Sequence, residues 1–464
     1  MILPLTLMRS RIFAISDVHT DYAENLEYVR RLSRQTDFKD DTLICAGDVT
    51  DSLDTLRETL QCFTAAFGTV FFTPGNHEFW VRGRSRDAGD SLEKLAAIFA
   101  LCDELGVRTR PAYAAGAVVA PILSFHHQSW DTEPDITGWR GIPSCERVMS
   151  DYRACAWPPP LSMLDDSVAL RLDALNDAHA AGDDADADGA AAADVDASSD
   201  PIAIALAMAE AAAPTYDGRR DRTSGAPGGA FEASVAALRA EHPSAPLVTF
   251  SHFVPRPELS PEKRFLMFPN LAKVPHFRRA IPRDSAPTLP PSLSDTAPRR
   301  SLSQAIGSTP LRARVDRLRP DLHVFGHTHF GWDATLDGVR YIQACLAYPP
   351  ERRQRIRSVA IGDGGASGAP AFPHDASPAP LLVYDSTSGF PTQYDAAWSN
   401  FYARNARTPA QYNHMLPPYS ASRYRQVEGE GEVGWGAAGA PAWSYGPANA
   451  VALAPKEEPP EFAP

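Results

Sequence analysis

The chain has no Cys-x-x-C pair, no apolar run of membrane-span length and no excess of basic charge. Each absence excludes something. The six cysteines, at 45, 62, 102, 145, 155 and 345, are scattered, several of them inside apolar strand or helix patterns. They read as buried free thiols in a reducing compartment, not as a disulfide framework. The missing long apolar run excludes a conventional membrane helix. Residues Ile2 to Met8 are apolar, but no basic region precedes them and no small-residue cleavage site follows. The first core strand is expected to begin near Arg11, so a cytoplasmic protein without a cleaved leader is the reading. A formal charge of -13 argues against a broad surface for nucleic acid or anionic membrane. Much of that acidity is local: Asn176 to Pro201 carries eight aspartates and no Lys or Arg.

At 464 residues the chain has room for one large domain or two ordinary ones. Its first eighty residues alternate short apolar strands with helical patterns. Arg11–Ser16, Thr42–Ala46 and Thr69–Thr73 read as strands. Asp21 to about Gln35 (with Asp21 as a cap) and Ser52–Phe67 read as helices. Short strands without polar alternation are those of a sheet covered on both faces, and such folds collect functional residues after the carboxyl ends of strands. Further helices are predicted over Asp90–Leu105, Leu161 to about Leu175, Phe231–Glu241 and Leu311–Leu318. Further strands are predicted at Val107–Arg108, within Gly116–Phe125 (interrupted by Pro121), at Pro246–Ser251, at Leu322–Phe325, around Asp337-Gly338, and at Leu381–Tyr384. Three stretches have the composition of insertions with little order: 176–229 (Ala, Asp and Gly), 283–309 (Pro and Ser) and 358–378. The expected domain runs over 9–403, and 404–464 is a tail rich in Gly, Ala and Pro.

Polar residues gather where the strands end. Asp17 and His19 follow the first strand, Gly47-Asp48 the second, and Gly75-Asn76-His77-Glu78 the third. Ser251-His252 and Gly326-His327-Thr328-His329 follow two later ones. In extended backbone the spacing of His327 and His329 puts both imidazoles on one side. Converging imidazoles suit a metal. Taken singly, Asp17 could cap a helix, Asp48 and Asn76 could be turn residues, and His252 a core histidine. Five such motifs in one order make chance a poor account.

This ordered set, D-x-H, G-D, G-N-H-E, S-H and G-H-T-H, resembles the calcineurin-like metallophosphoesterase superfamily from about Arg11 to about Pro350. The runs around His252 and before Pro350 look like those of uncharacterised plant and algal members. The resemblance implies an α/β fold built on a two-sheet β-sandwich flanked by helices, with the active site at strand carboxyl ends. It implies two divalent metal ions, the first held by Asp17, His19, Asp48 and His329, the second by Asp48, Asn76, His252 and His327. Asp48 then bridges, which offsets repulsion between the cations. Oxygen and imidazole ligands without thiolate suit Mn, Fe, Zn or Ni. The implied function is hydrolysis of a phosphomonoester or small phosphodiester by a metal-bridging hydroxide, with Asp48 and His77 as catalytic residues and His77 protonating the leaving oxygen or holding the phosphate. Asp51 or Glu78 is expected to orient His77.

Two departures matter. No Arg follows Gly47-Asp48, unlike the Ser/Thr protein phosphatases. Asp51 stands where purple acid phosphatases place a Tyr ligand. Candidate substrate contacts are His127 and Arg153, from an aromatic and basic stretch over 126–160, and Arg256. That stretch reads equally as a pocket wall or as a packed surface subdomain. The alternative function is a catalytically silent scaffold of the same fold that binds a protein partner. Metal ligands together with His77 would be eroded in such a scaffold, and here none is missing.

Overall fold

A computed structural model describes residues 9–81, 88–134, 139–140, 144–181, 229–263, 305–351, 380–394, 396–404, 406–407, 409 and 425–426. Two sheets lie at its centre. The first contains β1 (Arg11–Ile15), β2 (Thr42–Ala46), β3 (Thr69–Thr73) and β11 (Leu381–Asp385), in the order β11-β1-β2-β3. Strands β1, β2 and β3 run parallel, and β11 closes the edge antiparallel to β1. The second contains β4 (Ala112–Ala114), β5 (Ala117–Pro121), β7 (Leu247–Phe250), β8 (Leu322–Phe325), β9 (Trp332–Leu336) and β10 (Val339–Gln343). Its order is β4-β5-β7-β8-β10-β9, with a parallel centre and an antiparallel strand on each edge. Two-residue strands β6 (Trp139–Arg140) and β12 (Arg425–Gln426) pair with each other, so part of the tail that had no expected structure meets the 126–160 stretch.

Period-2 alternation assigns each strand face to a layer. Between the sheets lie Ile12, Ile44 and Phe71 from the first and Val119, Phe250 and Val324 from the second. The outer face of the first sheet (Phe13, Leu43, Phe72) packs on α1 (Ala23–Leu32), α2 (Leu53–Ala66) and α3 (Ser91–Leu105) through Val29, Leu60, Phe63 and Ile98. Two short helices follow, α4 (Cys145–Val148) and α5 (Asp151–Ala154). The outer face of the second sheet (Val118, Leu247, Phe325) meets α6 (Ser167–Ala181), α7 (Ala230–Glu241) and α8 (Thr309–Leu318), which contribute Leu172, Phe231 and Val315. Helix α9 (Ala397–Arg404) lies beside β9. This is the helix-flanked two-sheet α/β architecture expected from sequence, with every strand of the centre buried on both sides. No described helix is long and apolar enough to cross a membrane. All six cysteines are free, and all but Cys62 are buried.

Several expectations need correction. Asp21 does not cap α1: Tyr22 holds the N-cap position and makes no side-chain cap bond. Pro121 ends one strand rather than interrupting two, since it has no N–H to continue the ladder. Val107–Arg108 contributes only an isolated bridge from Arg108 to Phe71. Helix α6 continues to Ala181, past the expected boundary at Asn176. The reason is a buried side-chain bond: the Asn176 carboxamide accepts from the backbone N–H of Leu123 at 2.8 Å and donates to its carbonyl at 2.9 Å. Residues 305–309 were expected in a loop, yet Ala305 and Ser308 are buried and the Ser308 hydroxyl caps α8. The remainder of the first two expected insertions (182–228 and 283–304), and all of 358–378, lie outside the described residues. The hairpin at Asp337-Gly338 is formed, with φ of 50° and 85° as a type I′ turn requires.

Candidate metal centre

The carboxyl ends of β1, β2, β3, β7 and β8 converge, and each delivers one of the five motifs. Ligand atoms of Asp17, His19, Asp48 and His329 lie within 4.8 Å of one another, and so do those of Asp48, His252 and His327. Asn76 joins the second group, its Oδ1 3.1 Å from His252 Nε2 and 2.9 Å from His327 Nδ1. Asp48 belongs to both groups. Its carboxylate lies 3.4 Å from His252, 3.8 Å from His77 and 4.0 Å from His19.

The backbone works hard to achieve this. Asp17, His19, Asp48, His327 and His329 all have φ between 47° and 75°, the left-handed region that side chains other than glycine rarely enter. The extended reading of His327 and His329 is therefore corrected. Consecutive left-handed turns send the two rings to different partners, His327 toward Asn76 and His252, His329 toward His19 and Asp17. Gly47 is required by close approach: at its φ of 77° a Cβ would stand 2.6 Å from the backbone nitrogen of Gly75.

Hydrogen bonds at the outer nitrogens fix the tautomers. His252 Nδ1 donates to the Ala46 carbonyl at 2.9 Å, and His327 Nε2 donates to the Ala305 carbonyl at 2.7 Å. His329 Nδ1 meets the Glu351 carboxylate at 2.7 Å. When His252 is neutral, three acceptors then face one another: His252 Nε2, His327 Nδ1 and Asn76 Oδ1. The two imidazole nitrogens are 3.2 Å apart. A cluster of lone pairs without a donor is satisfied by a cation, so the donor set fits a metal. In the other group His19 Nε2 and His329 Nε2 lie 3.0 Å apart.

Without a cation, protons take that role. Burial pushes the His252 imidazole down, but Asp48 and Asp17 outweigh it and bring it to about 9. His329 is likewise lifted well above the usual range, Glu351 and Asp17 prevailing over burial. Burial, reinforced by neighbouring imidazoles, lowers His19 well below its ordinary value and His327 to about 4. Burial works against the Asp48 carboxylate, yet His252 and His77 hold it well below the usual range.

The remaining site expectations land as follows. His77 is buried, stacks on Trp80 with centroids 3.8 Å apart, and donates its backbone N–H to Asp48. Glu78 does not reach its ring. It is wholly buried and accepts the backbone N–H groups of Asp48, Val49, Thr50 and Gly75. The Asp51 carbonyl accepts from buried Lys94. Carboxylates near the His77 imidazole are Asp48 and Asp21, the latter grouped with His19 and His77 within 4.8 Å. The three substrate candidates are engaged elsewhere. His127 bonds through both nitrogens, to Ser129 and Asp166 on one side and to the Thr309 N–H on the other. Arg153 is exposed and donates to the Arg147 carbonyl. Arg256 pairs with Glu258 and Asp337. Sequence reasoning missed Asp151, Trp80, Glu351 and Tyr348. The Tyr348 ring lies against His19, tilted by 34° with centroids 4.3 Å apart. None of the four stands in a strand-end motif, so no local signal marks them.

Comparison with known proteins agrees with this geometry. The profile of the calcineurin-like phosphoesterase family matches residues 10–148. An [acyl-carrier-protein] phosphodiesterase, PptH, of Mycobacterium tuberculosis is 35% identical over 98 residues. That match covers 21% of this chain and 30% of the relative, so the chain spans under a third of that curated protein. The crystal structure of phosphopantetheinyl hydrolase (PptH) from M. tuberculosis aligns at 19% identity over 75% of this chain and 93% of that one. Its TM-score is 0.37, too low to bear on the fold. The family match stops short of His252, His327 and His329, but these three close on the same cluster as the matched residues.

Proposed function

We propose that the protein is a hydrolase of phosphoesters, acting on a phosphomonoester or small phosphodiester at a centre for two divalent cations. The observation that carries this reading is the convergence of His252 Nε2, His327 Nδ1 and Asn76 Oδ1, whose outward groups are already engaged. Asp17, His19, Asp48 and His329 would hold the first cation, and Asp48, Asn76, His252 and His327 the second. When bound, the cations supply positive charge for the phosphoryl oxygens and a lowered pKa for the attacking water.

The chain's own groups do the rest. Asp48 stands between the two groups and keeps both at one short separation. His77, at the edge of the cluster with Asp48 and Asp21 near its ring, is placed to pass a proton to the leaving oxygen. Trp80 braces the opposite face of that ring and excludes water from it. The likeness to an acyl-carrier-protein phosphodiesterase supports including acyl-carrier-protein diesters among the substrates tested.

The test is a panel of aryl phosphates, bis-aryl phosphates and acyl-carrier-protein diesters, with protein loaded with Mn. Turnover is expected in the wild type, with loss on chelation and in Asp48→Asn. A metal-loaded wild type as inert as Asp48→Asn over the whole panel would replace hydrolysis with the silent scaffold.

A further inference from the structure

The Asn76 carboxamide has an oxygen end and a nitrogen end, and only one orientation makes it a ligand. With the nitrogen turned inward, two N–H donors would face His252 and His327 and repel a cation. Nothing within its own turn decides between the two, and the decision comes from across the molecule. Asp151, on α5 in the stretch whose role the sequence left open, is wholly buried. Its Oδ1 accepts from Asn76 Nδ2 at 2.9 Å and from Trp80 Nε1 at 2.8 Å, and its Oδ2 meets His126 Nε2 at 3.1 Å. An ionised carboxylate only accepts, so the amide nitrogen must face it and the oxygen must face the metal centre.

We propose that Asp151 is a positioning residue that fixes the orientation of Asn76 toward the second cation and of Trp80 beneath His77. One carboxylate thereby links a ligand to the group that braces the proton donor: Trp80 is bound to Asp151 by its indole N–H and stacks on His77 by its face. His126 completes the arrangement by donating to the other oxygen. The 126–160 stretch is thus part of the centre's support, and replacing Asp151 by an apolar residue loosens the second cation without touching a ligand.

This inference rests on the two-cation reading above, and the experiment separates the two. Bound metal per chain is measured by elemental analysis after dialysis against graded free Mn, alongside thermal melting in excess Mn. Wild type is expected to hold two cations. Asp151→Leu removes the acceptor while keeping the branch at Cγ and frees the amide to turn. It should weaken the second cation by about 10–100-fold and leave the first in place. Asp151→Asn keeps an oxygen for Asn76 and Trp80, while His126 accepts the new N–H through its other tautomer, so near-wild-type binding of both is expected. Should Asp151→Leu not fold, Asp151→Ala carries the same expectation. Two cations retained in the apolar variant, with only the melting temperature lowered, would reduce Asp151 to a structural role and overturn the proposal. Equal weakening in Asp151→Leu and Asp151→Asn would overturn it too, because charge and not amide orientation would then be at work. A wild type that never binds a second cation removes the two-cation reading itself.

Discussion

Glu78 offers the sharpest test of how the centre is held. Its carboxylate is wholly buried and receives four backbone N–H groups: Oε2 from Asp48 at 2.9 Å and Gly75 at 2.6 Å, Oε1 from Val49 at 2.7 Å and Thr50 at 3.0 Å. These are the turns that follow β2 and β3, so one side chain fastens two loops that both bear candidate ligands. Burial and the nearby Asp48 charge push the Glu78 carboxyl up, and the donors of Thr50 and Gly75 act against them. Glu78→Gln keeps the shape but offers one oxygen in place of two. Whichever way its amide turns, two backbone donors meet an NH2 group. Each stranded buried donor costs about 1–3 kcal/mol, so the loss is about 2–6 kcal/mol. Against a typical domain stability of about 5–15 kcal/mol that is a large share. Urea unfolding of the metal-free protein, read by linear extrapolation, measures it. A Glu78→Gln stability within about 1 kcal/mol of wild type would refute the reasoning, because the four contacts would then be geometrical coincidence.

Two further outcomes follow from the same contacts. His252 holds its proton up to about pH 9 in the metal-free chain and must release it to offer Nε2, so second-site affinity should rise about tenfold per pH unit below about pH 9 and level off above it, with proton release visible by calorimetry in buffers of different ionisation enthalpy. Replacing 182–228 by a short linker should leave the melting temperature nearly unchanged, since Gly229 and Phe231 already lie against Asp177, whereas a deletion beginning at Asn176 should lower it by removing the bonds to Leu123 and the Asp177–Arg314 pair.

The converging cluster was legible in the sequence where strand ends and polar motifs coincide. Thr42–Ala46 and Thr69–Thr73 are short, apolar on both faces and closed by Gly-Asp and Pro-Gly-Asn, so strand ends and site residues mark each other. His252 and Asn76 were read the same way, and the structure brings both into the converging cluster. What stayed hidden are partners joined by the fold alone. Asp151 meets Asn76 from 75 positions away, and Glu351 meets His329 from a short helical segment that carries no motif. The Glu78 side chain was within a motif, yet its role as a clamp is a property of four backbone groups, which no residue type announces. The same limit explains the helix boundary: the composition after Leu175 turns toward Ala and Asp, but Asn176 and Asp177 are used by Leu123 and Arg314, and α6 extends to include them.

Strain and its compensation tie these observations together. Five of the candidate ligand residues sit in left-handed backbone, and a residue held in such a region costs of order 1–3 kcal/mol. Apolar packing cannot offset that locally, because the inner faces of these turns are polar. The offset comes from bonds between the turns themselves. The Asp17 N–H donates to Gly47, His19 to Asp48 and Thr20 to Val49, while Ala347 donates to the Asp17 carbonyl and Gly326 to that of His252. The Asp17 carboxylate also accepts the His327 N–H at 2.8 Å. Each turn is therefore held by its neighbours, and no ligand is free to relax alone. A cation held there would find its donors already aimed, with the ordering cost met during folding rather than at binding. That is also why a distant carboxylate such as Asp151 matters: in a cluster whose backbone is fixed, the remaining freedom is the turn of the Asn76 amide, and Asp151 removes it.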